Sequence, residues 1–196
     1  RLLPPGLNEP GLTNLLIRLA RSRDLLVMYL EGHGERRLDG IANHDLGEFG
    51  KQLTLKGFKI NRLNLAIAQD VPANAAALMI ANPQVDLLPG EVDKLIQYVI
   101  GGGNLFWLID QEPLHGLQPL AQLLGLTLTP GVVVDPAAQR LNALPTWALA
   151  SSYGRHSVTR NFNMNTVFPF ARQVSAGDDQ GWRVASLVEV AQQGWV

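Results

Sequence analysis

The chain contains no cysteine in 196 residues. That excludes disulfides, thiolate metal centres and every mechanism built on a cysteine nucleophile, without fixing a redox compartment. There is no excess of charge of one sign either. Sixteen basic side chains meet seventeen acidic ones, for a formal net charge of −1. Such a chain has no global field with which to hold a phosphate backbone, so nucleic acid is not an expected partner. No apolar run approaches the roughly 20 residues that span a bilayer. The start, RLLPPGLNEP, shows neither an initiator methionine nor a signal-peptide pattern. With the abrupt start at Arg1, this leads us to expect a fragment excised from a longer protein. No G-x-x-x-x-G-K-[ST] loop and no G-x-S-x-G elbow occurs, and GGGN at 101–104 follows a helix instead of opening one. The chain is therefore not expected to hydrolyse nucleotides or to assemble a serine triad. There is no internal repeat, low-complexity tract or linker.

What is present is an alternation of apolar runs and amphipathic stretches. Leu12, Leu15, Leu16 and Leu19 fall on one helical face, with arginines at 18, 21 and 23 toward its end, where the helix dipole favours cations. The run Leu25–Leu30 is continuously apolar and too short for a helix, which suits a strand covered on both faces. Asp45-Leu46-Gly47-Glu48 has the form of a capping box, Leu46, Phe49 and Leu53 make a stripe, and Gly57 is a stop. FKINRLNL then reads as a strand, and Ala75–Ile80 as another buried one. PGEVDKLIQYVIGGG is the clearest helix. Pro89 opens it, Val92, Leu95, Ile96, Val99 and Ile100 form its stripe, and Gly101 closes it. NLFWLID, a short helix over Leu117–Leu124 and a fifth strand region, LTLTPGVVVD, complete the series. Strand–helix alternation predicts an α/β fold with a doubly wound, mainly parallel sheet, over a single domain of residues 1–196. The portion 136–196 is less regular, with strand-like VTRNF and WRVASLVEV and with Trp147, Trp182 and Trp195 available to pack.

In open parallel sheets ligands bind beyond the carboxyl ends of the strands. That gathers Glu31, His33, Glu35 and Arg36 of EGHGER after the first strand, Asn82 after the third, Asp110-Gln111-Glu112 after the fourth, and His115. In a flavodoxin-like order the first and third strands are neighbours, and His33 and Asn82 share a crevice. If the loop stays extended, Glu31, His33 and Glu35 project to one side and could bind a metal or share a proton. The other reading is a solvated turn in which His33 bonds neighbouring backbone. Two carboxylates and one histidine match no known ligand spacing, so no metal site is assigned and no cofactor is expected. Asp110 and Asp135 are each either a site group or an ordinary helix cap. His44 sits at the capping box, and His115 and His156 stand alone.

YLEGHGER, NHDLGEFGKQLTLKGFKINRLNLA, IANPQVDLLPGEVDKLIQYVIGGGNLFWLID and GVVVDP, in this order, resemble the auxiliary component of gliding-motility-type ABC transporters. The resemblance runs from about Leu12 to Asp135 and continues through RHSVTRNF and FPFARQVSA. It implies a domain similar to class I glutamine amidotransferases, held between membrane segments on the extracytoplasmic, periplasmic side and paired with an ABC permease and ATPase. In amidotransferases of this kind the nucleophilic cysteine follows the third strand, where this chain reads Ile80-Ala81-Asn82-Pro83. The expectation is thus a non-catalytic accessory domain that binds a small-molecule ligand or a protein at the carboxyl edge of its sheet. The alternative is a hydrolase or sugar-processing enzyme using His33 with Glu31 or Asp110 as acid and base.

Overall fold

The computed structural model of the chain describes residues 25–111, 113–177, 181–189 and 194–196. The helix expected over Leu12–Leu19 and the side chain of Glu112 lie outside these residues. The chain divides into two compact units that meet in sequence between Leu108 and Ile109.

The first unit is built on four parallel strands in the order β2-β1-β3-β4: β1 Leu25–Leu30, β2 Phe58–Leu63, β3 Ala75–Ala81 and β4 Leu105–Leu108. Leu25 pairs with Phe58 and Leu30 with Leu63. A register shift after Leu26 sets Val27 opposite Ala77, and Leu78 pairs with Leu105. Successive strand residues point to opposite faces, yet Val27 to Leu30 and Leu78 to Ala81 are all buried. Both faces of β1 and β3 are therefore covered, which is what their unbroken apolar runs require. Leu30, Leu78 and Ile80 are at most 1% exposed, and each such side chain stabilises the fold by about 2 kcal/mol.

Helix α1, Gly47–Leu55, follows the β1 loop, and helix α2, Pro89–Ile100, follows β3. α2 buries Val92, Leu95 and Val99. Ile100, expected on the same stripe, is instead 60% exposed at the last helical position. The capping box expected at Asp45 does not form. The N-cap of α1 is Leu46, without a side-chain bond, and the Asp45 carboxylate accepts from Arg37 N–H and Ala42 N–H. It closes the loop that precedes the helix. Gly50 of α1 lies so near this loop that a Cβ would stand 1.9 Å from the Leu38 carbonyl oxygen. Only glycine permits that approach.

The second unit differs from the expected continuation of a parallel sheet. β5, Leu126–Leu128, pairs antiparallel with β9, Val174–Ala176, in a separate two-stranded ribbon. β6, Trp147–Ala150, pairs with β8, Thr166–Pro169, and β7, Ser152–Tyr153, with β10, Val188–Glu189, both antiparallel. Three residues of LTL give too short a ladder to extend an open sheet. VTRNF folds into turns, and of WRVASLVEV only Val188–Glu189 is described as strand. Helix α3, Gln118–Leu123, buries Leu120 and Ala121, and Leu117, Val133, Ala138, Ala148 and Ala150 of this unit are buried as well. Trp147, Trp182 and Trp195 remain 38%, 40% and 57% exposed. Asp135 is fully buried. One carboxylate oxygen accepts from Ala137 N–H at 2.8 Å and the other from Leu149 N–H at 3.0 Å. It caps the 3-10 turn Pro136–Leu141 and ties that turn to β6, so the structure favours the cap among its two readings.

Candidate functional site

EGHGER does not stay extended. Gly32 and Gly34 adopt φ of +121° and +79°, angles at which a side chain is strained. Between them the chain folds His33 inward to 8% exposure. Glu31 N–H still bonds the Leu63 carbonyl, continuing the β1–β2 ladder, and Arg36 N–H bonds the carbonyl of Ala81 at the end of β3. The His33 carbonyl accepts from both Gln84 N–H and Val85 N–H, at 2.6 and 3.1 Å. The loops after β1 and β3 are thus stitched together, and the sequence-derived neighbourhood of His33 and Asn82 holds in the backbone.

The His33 ring lies between two carboxylates. Nδ1 is 3.3 Å from Glu35 Oε1, and Nε2 is 3.0 Å from Glu91 Oε2. The side chains of the three residues are 10%, 1% and 4% exposed. Glu35 Oε2 also accepts from His33 N–H, and Glu91 Oε2 from Leu88 N–H at 2.8 Å, at the start of α2. The Glu91 Oε1 atom is buried and has no hydrogen-bond partner among the described residues. Each ring nitrogen thus has a carboxylate oxygen of the chain itself within hydrogen-bond reach, and the tautomer decides which atom donates. The carboxylates stand on opposite edges of the imidazole and do not converge on a point. Among the described residues no group of three or more His, Cys, Asp or Glu side chains is arranged to hold a metal.

Glu31 does not join this cluster. It is half-buried beside Arg62, with Nη1 to Oε2 at 3.7 Å. Arg62 leads to a second network absent from the sequence analysis. Asp39 accepts from the Tyr29 hydroxyl at 2.7 Å, from Arg37 Nε at 3.1 Å and from Arg62 Nε at 3.1 Å. Desolvation alone would raise the Asp39 carboxyl, but the hydrogen bonds from Tyr29, Arg62 and Arg37 outweigh it and hold the group well below the usual carboxylate range. Burial first, and then the bond and charge of Asp39, push the Tyr29 phenol up. This network forms one wall of a groove of about 1420 Å3 against β2 and α1, lined among others by Leu38, Ile41, Leu55 and Phe58. Ile41 is wholly exposed and Leu55 62% exposed.

The remaining candidates are placed as follows. Asn82 sits directly after β3 with φ of +51°, a left-handed angle that Asn tolerates better than most residues. α2 begins only at Pro89, so the turn after β3 is a loop and not a sharp strand-to-helix elbow. Asp110 belongs to the second unit and accepts from its own neighbour, Gln111 N–H. It does not cap α3, which starts at Gln118 with Leu117 as N-cap. His115, also in the second unit, has φ of +47°. Exposed His44 stands 3.8 Å from Asp45. The residue that sequence reasoning missed is Glu91. Its signal was an acid at the third position of a helix whose N-cap, Leu88, has no side-chain acceptor to share the work.

The fold and site define an α/β domain: a small parallel sheet with a histidine at its carboxyl end held between two carboxylates of the chain itself. The chain belongs to the family described as an ABC-type uncharacterized transport system, which matches over residues 26–196. That family's description is of transport and implies association with transport components. No curated protein matches the chain. Among solved structures, the mmIFT52 N-terminal domain is similar, with a TM-score of 0.59 and 14% identity over 78% of this chain and 69% of that one. At this identity the likeness concerns the fold alone. Among the described residues no helix is long and apolar enough to cross a membrane.

Proposed function

We propose that this chain is a non-catalytic accessory domain of an ABC-type transport system, lying on the extracytoplasmic side and docking the permease at the groove beside the carboxyl edge of its sheet. The observation that carries the reading is the commitment of both His33 nitrogens to buried carboxylates. The most chemically able side chain at the edge serves to hold the loop. What the edge presents outward is a groove with exposed Ile41 and Leu55 next to the ionic Asp39–Arg62 wall. An apolar strip rimmed by charge is suited to a protein partner. The β1–β3 adjacency and the left-handed Asn82 after β3 support a flavodoxin-like, class I amidotransferase-like ancestry in which asparagine occupies the nucleophile's position. Segments outside these residues attach the domain to the membrane, and the partner ATPase supplies the energy.

The test is site-specific photocrosslinking. A benzophenone side chain at position 41 or 55 of the full-length protein, activated in native membranes, should give an adduct with the permease. Ile41→Arg should abolish co-purification while leaving the melting temperature unchanged. A full-length protein that purifies from cytosol and crosslinks to no membrane protein would overturn the proposal.

A further inference from the structure

The second unit carries a cationic pocket that neither the family description nor the loop around His33 accounts for. Tyr153 to Ser157, Thr159 and Arg160 line an open depression of about 530 Å3, within the size range of small-molecule sites. Among the described residues no acidic side chain lines it. Arg155 and Arg160 are exposed, and neither makes an ion pair or side-chain hydrogen bond among the described residues. His156 Nδ1 accepts from Val158 N–H at 3.2 Å, so the neutral ring carries its proton on Nε2 and offers it as a donor.

The frame behind these donors is braced. The Thr159 hydroxyl accepts from His156 N–H and donates to the Gly154 carbonyl. Arg160 N–H bonds the His156 carbonyl at 2.9 Å. Tyr153 is fixed by its hydroxyl to the Met164 carbonyl and edge-on to Phe162 at 4.8 Å. Donors on a preset frame lose little freedom on binding.

We propose that this loop binds a phosphate monoester, carried by a small molecule or a lipid headgroup. Two guanidinium groups bring a charge of about +2, which a monoester of about −1.5 to −2 matches. Each guanidinium presents a fork of donors suited to phosphate oxygens, and Ser157 and His156 Nε2 add two more. A carboxylate, with one charge and two oxygens, leaves one arginine unmatched.

Titration of the chain with glycerol 3-phosphate at low salt should give saturable binding at least tenfold tighter than acetate, weakening as salt is raised. Arg155→Gln with Arg160→Gln should lower the affinity at least tenfold. Phosphatidylcholine vesicles with and without phosphatidic acid separate the sources. Binding confined to the phosphatidic acid vesicles, and lost in the double variant, supports the proposal with lipid as the carrier. Binding to neither ligand, equal binding of acetate, or binding unchanged by the double variant overturns it. Should the variant fail to fold, amide shifts in the unaltered chain decide: changes centred on 154–160 support the site, and changes elsewhere overturn it.

Discussion

His33 and Glu91 are 58 residues apart in sequence, yet Nε2 of one lies 3.0 Å from Oε2 of the other. One belongs to the loop after β1, the other to the first turn of α2. With Glu35 on the opposite edge of the ring, the contact clamps the β1 loop to the start of α2 at the carboxyl end of the sheet.

Removing the ring should therefore be costly. His33→Ala leaves two buried carboxylates facing each other across a void, and the loss expected for breaking a buried ionic contact is about 3 kcal/mol. Urea unfolding of the variant measures it. A loss below about 0.5 kcal/mol, the usual scale for surface changes, would show that the clamp does not hold the loop.

Glu91 should separate charge from shape. Glu91→Ala strands Leu88 N–H and His33 Nε2, at about 1–3 kcal/mol for a buried unsatisfied group. Glu91→Gln keeps an acceptor for Leu88 N–H and should lose less than half as much. Equal losses in the two variants would mean that the charge, removed in both, sets the effect, and not the acceptor or the volume that glutamine keeps.

The burial of His33 was not legible beforehand. EGHGER looks like a solvated turn because glycine and charge usually mark one, and a single sequence does not state which distant carboxylate meets the ring. β1, β3 and α2 were legible, since unbroken apolar runs and the Pro89 and Gly101 boundaries follow from burial and backbone chemistry alone. The fifth strand was not, because three residues of LTL carry no sign of the direction of their partner. Asp45 misled because its capping-box spacing is shared by a carboxylate that bonds backbone N–H groups upstream of the helix.

Acid should expose the Asp39 network. Its carboxyl is held below the ordinary range in the fold, so its stabilisation is present above the unfolded value of about 3.9 and lost as pH falls toward the depressed folded value. Asp39 is 43% exposed, and solvent screening limits the effect to about 1 kcal/mol or less. Asp39→Asn should be slightly less stable than the parent at pH 7 and converge with it in strong acid. The same substitution removes the negative charge that helps push the Tyr29 phenol up and leaves only a neutral acceptor, so its ultraviolet titration should move down toward the ordinary tyrosine range. An unmoved Tyr29 titration would contradict the geometry of the network.

Asp135 should govern the second unit. Both of its carboxylate oxygens accept backbone N–H groups in a fully buried position. Asp135→Ala leaves two donors unpaired and is expected to cost about 2–4 kcal/mol, read by hydrogen exchange as lost protection at Ala137 and Leu149. Protection unchanged at both amides would show that other groups hold the 3-10 turn.

Asn82 gives the sharpest test of what the carboxyl edge can still do. It follows β3 at the position that the amidotransferase resemblance assigns to a nucleophile, and its φ of +51° is left-handed. Asn82→Ala should cost about 1 kcal/mol through backbone strain, and Asn82→Gly should be close to neutral. The chain as it stands should release no ammonia from glutamine, because no thiol is present to form the thioester. Asn82→Cys supplies the thiol without a base to activate it. His33, on the neighbouring loop, has both nitrogens engaged, and α2 starts too late, at Pro89, for its N-terminus to stand directly behind the new sulfur. Glutaminase activity should therefore stay at background in Asn82→Cys, measured as ammonia release from a purified protein whose folding is confirmed by circular dichroism. Turnover in that variant would show that one of these groups is free to act as a base, and would favour the enzymatic reading of the edge over the docking one.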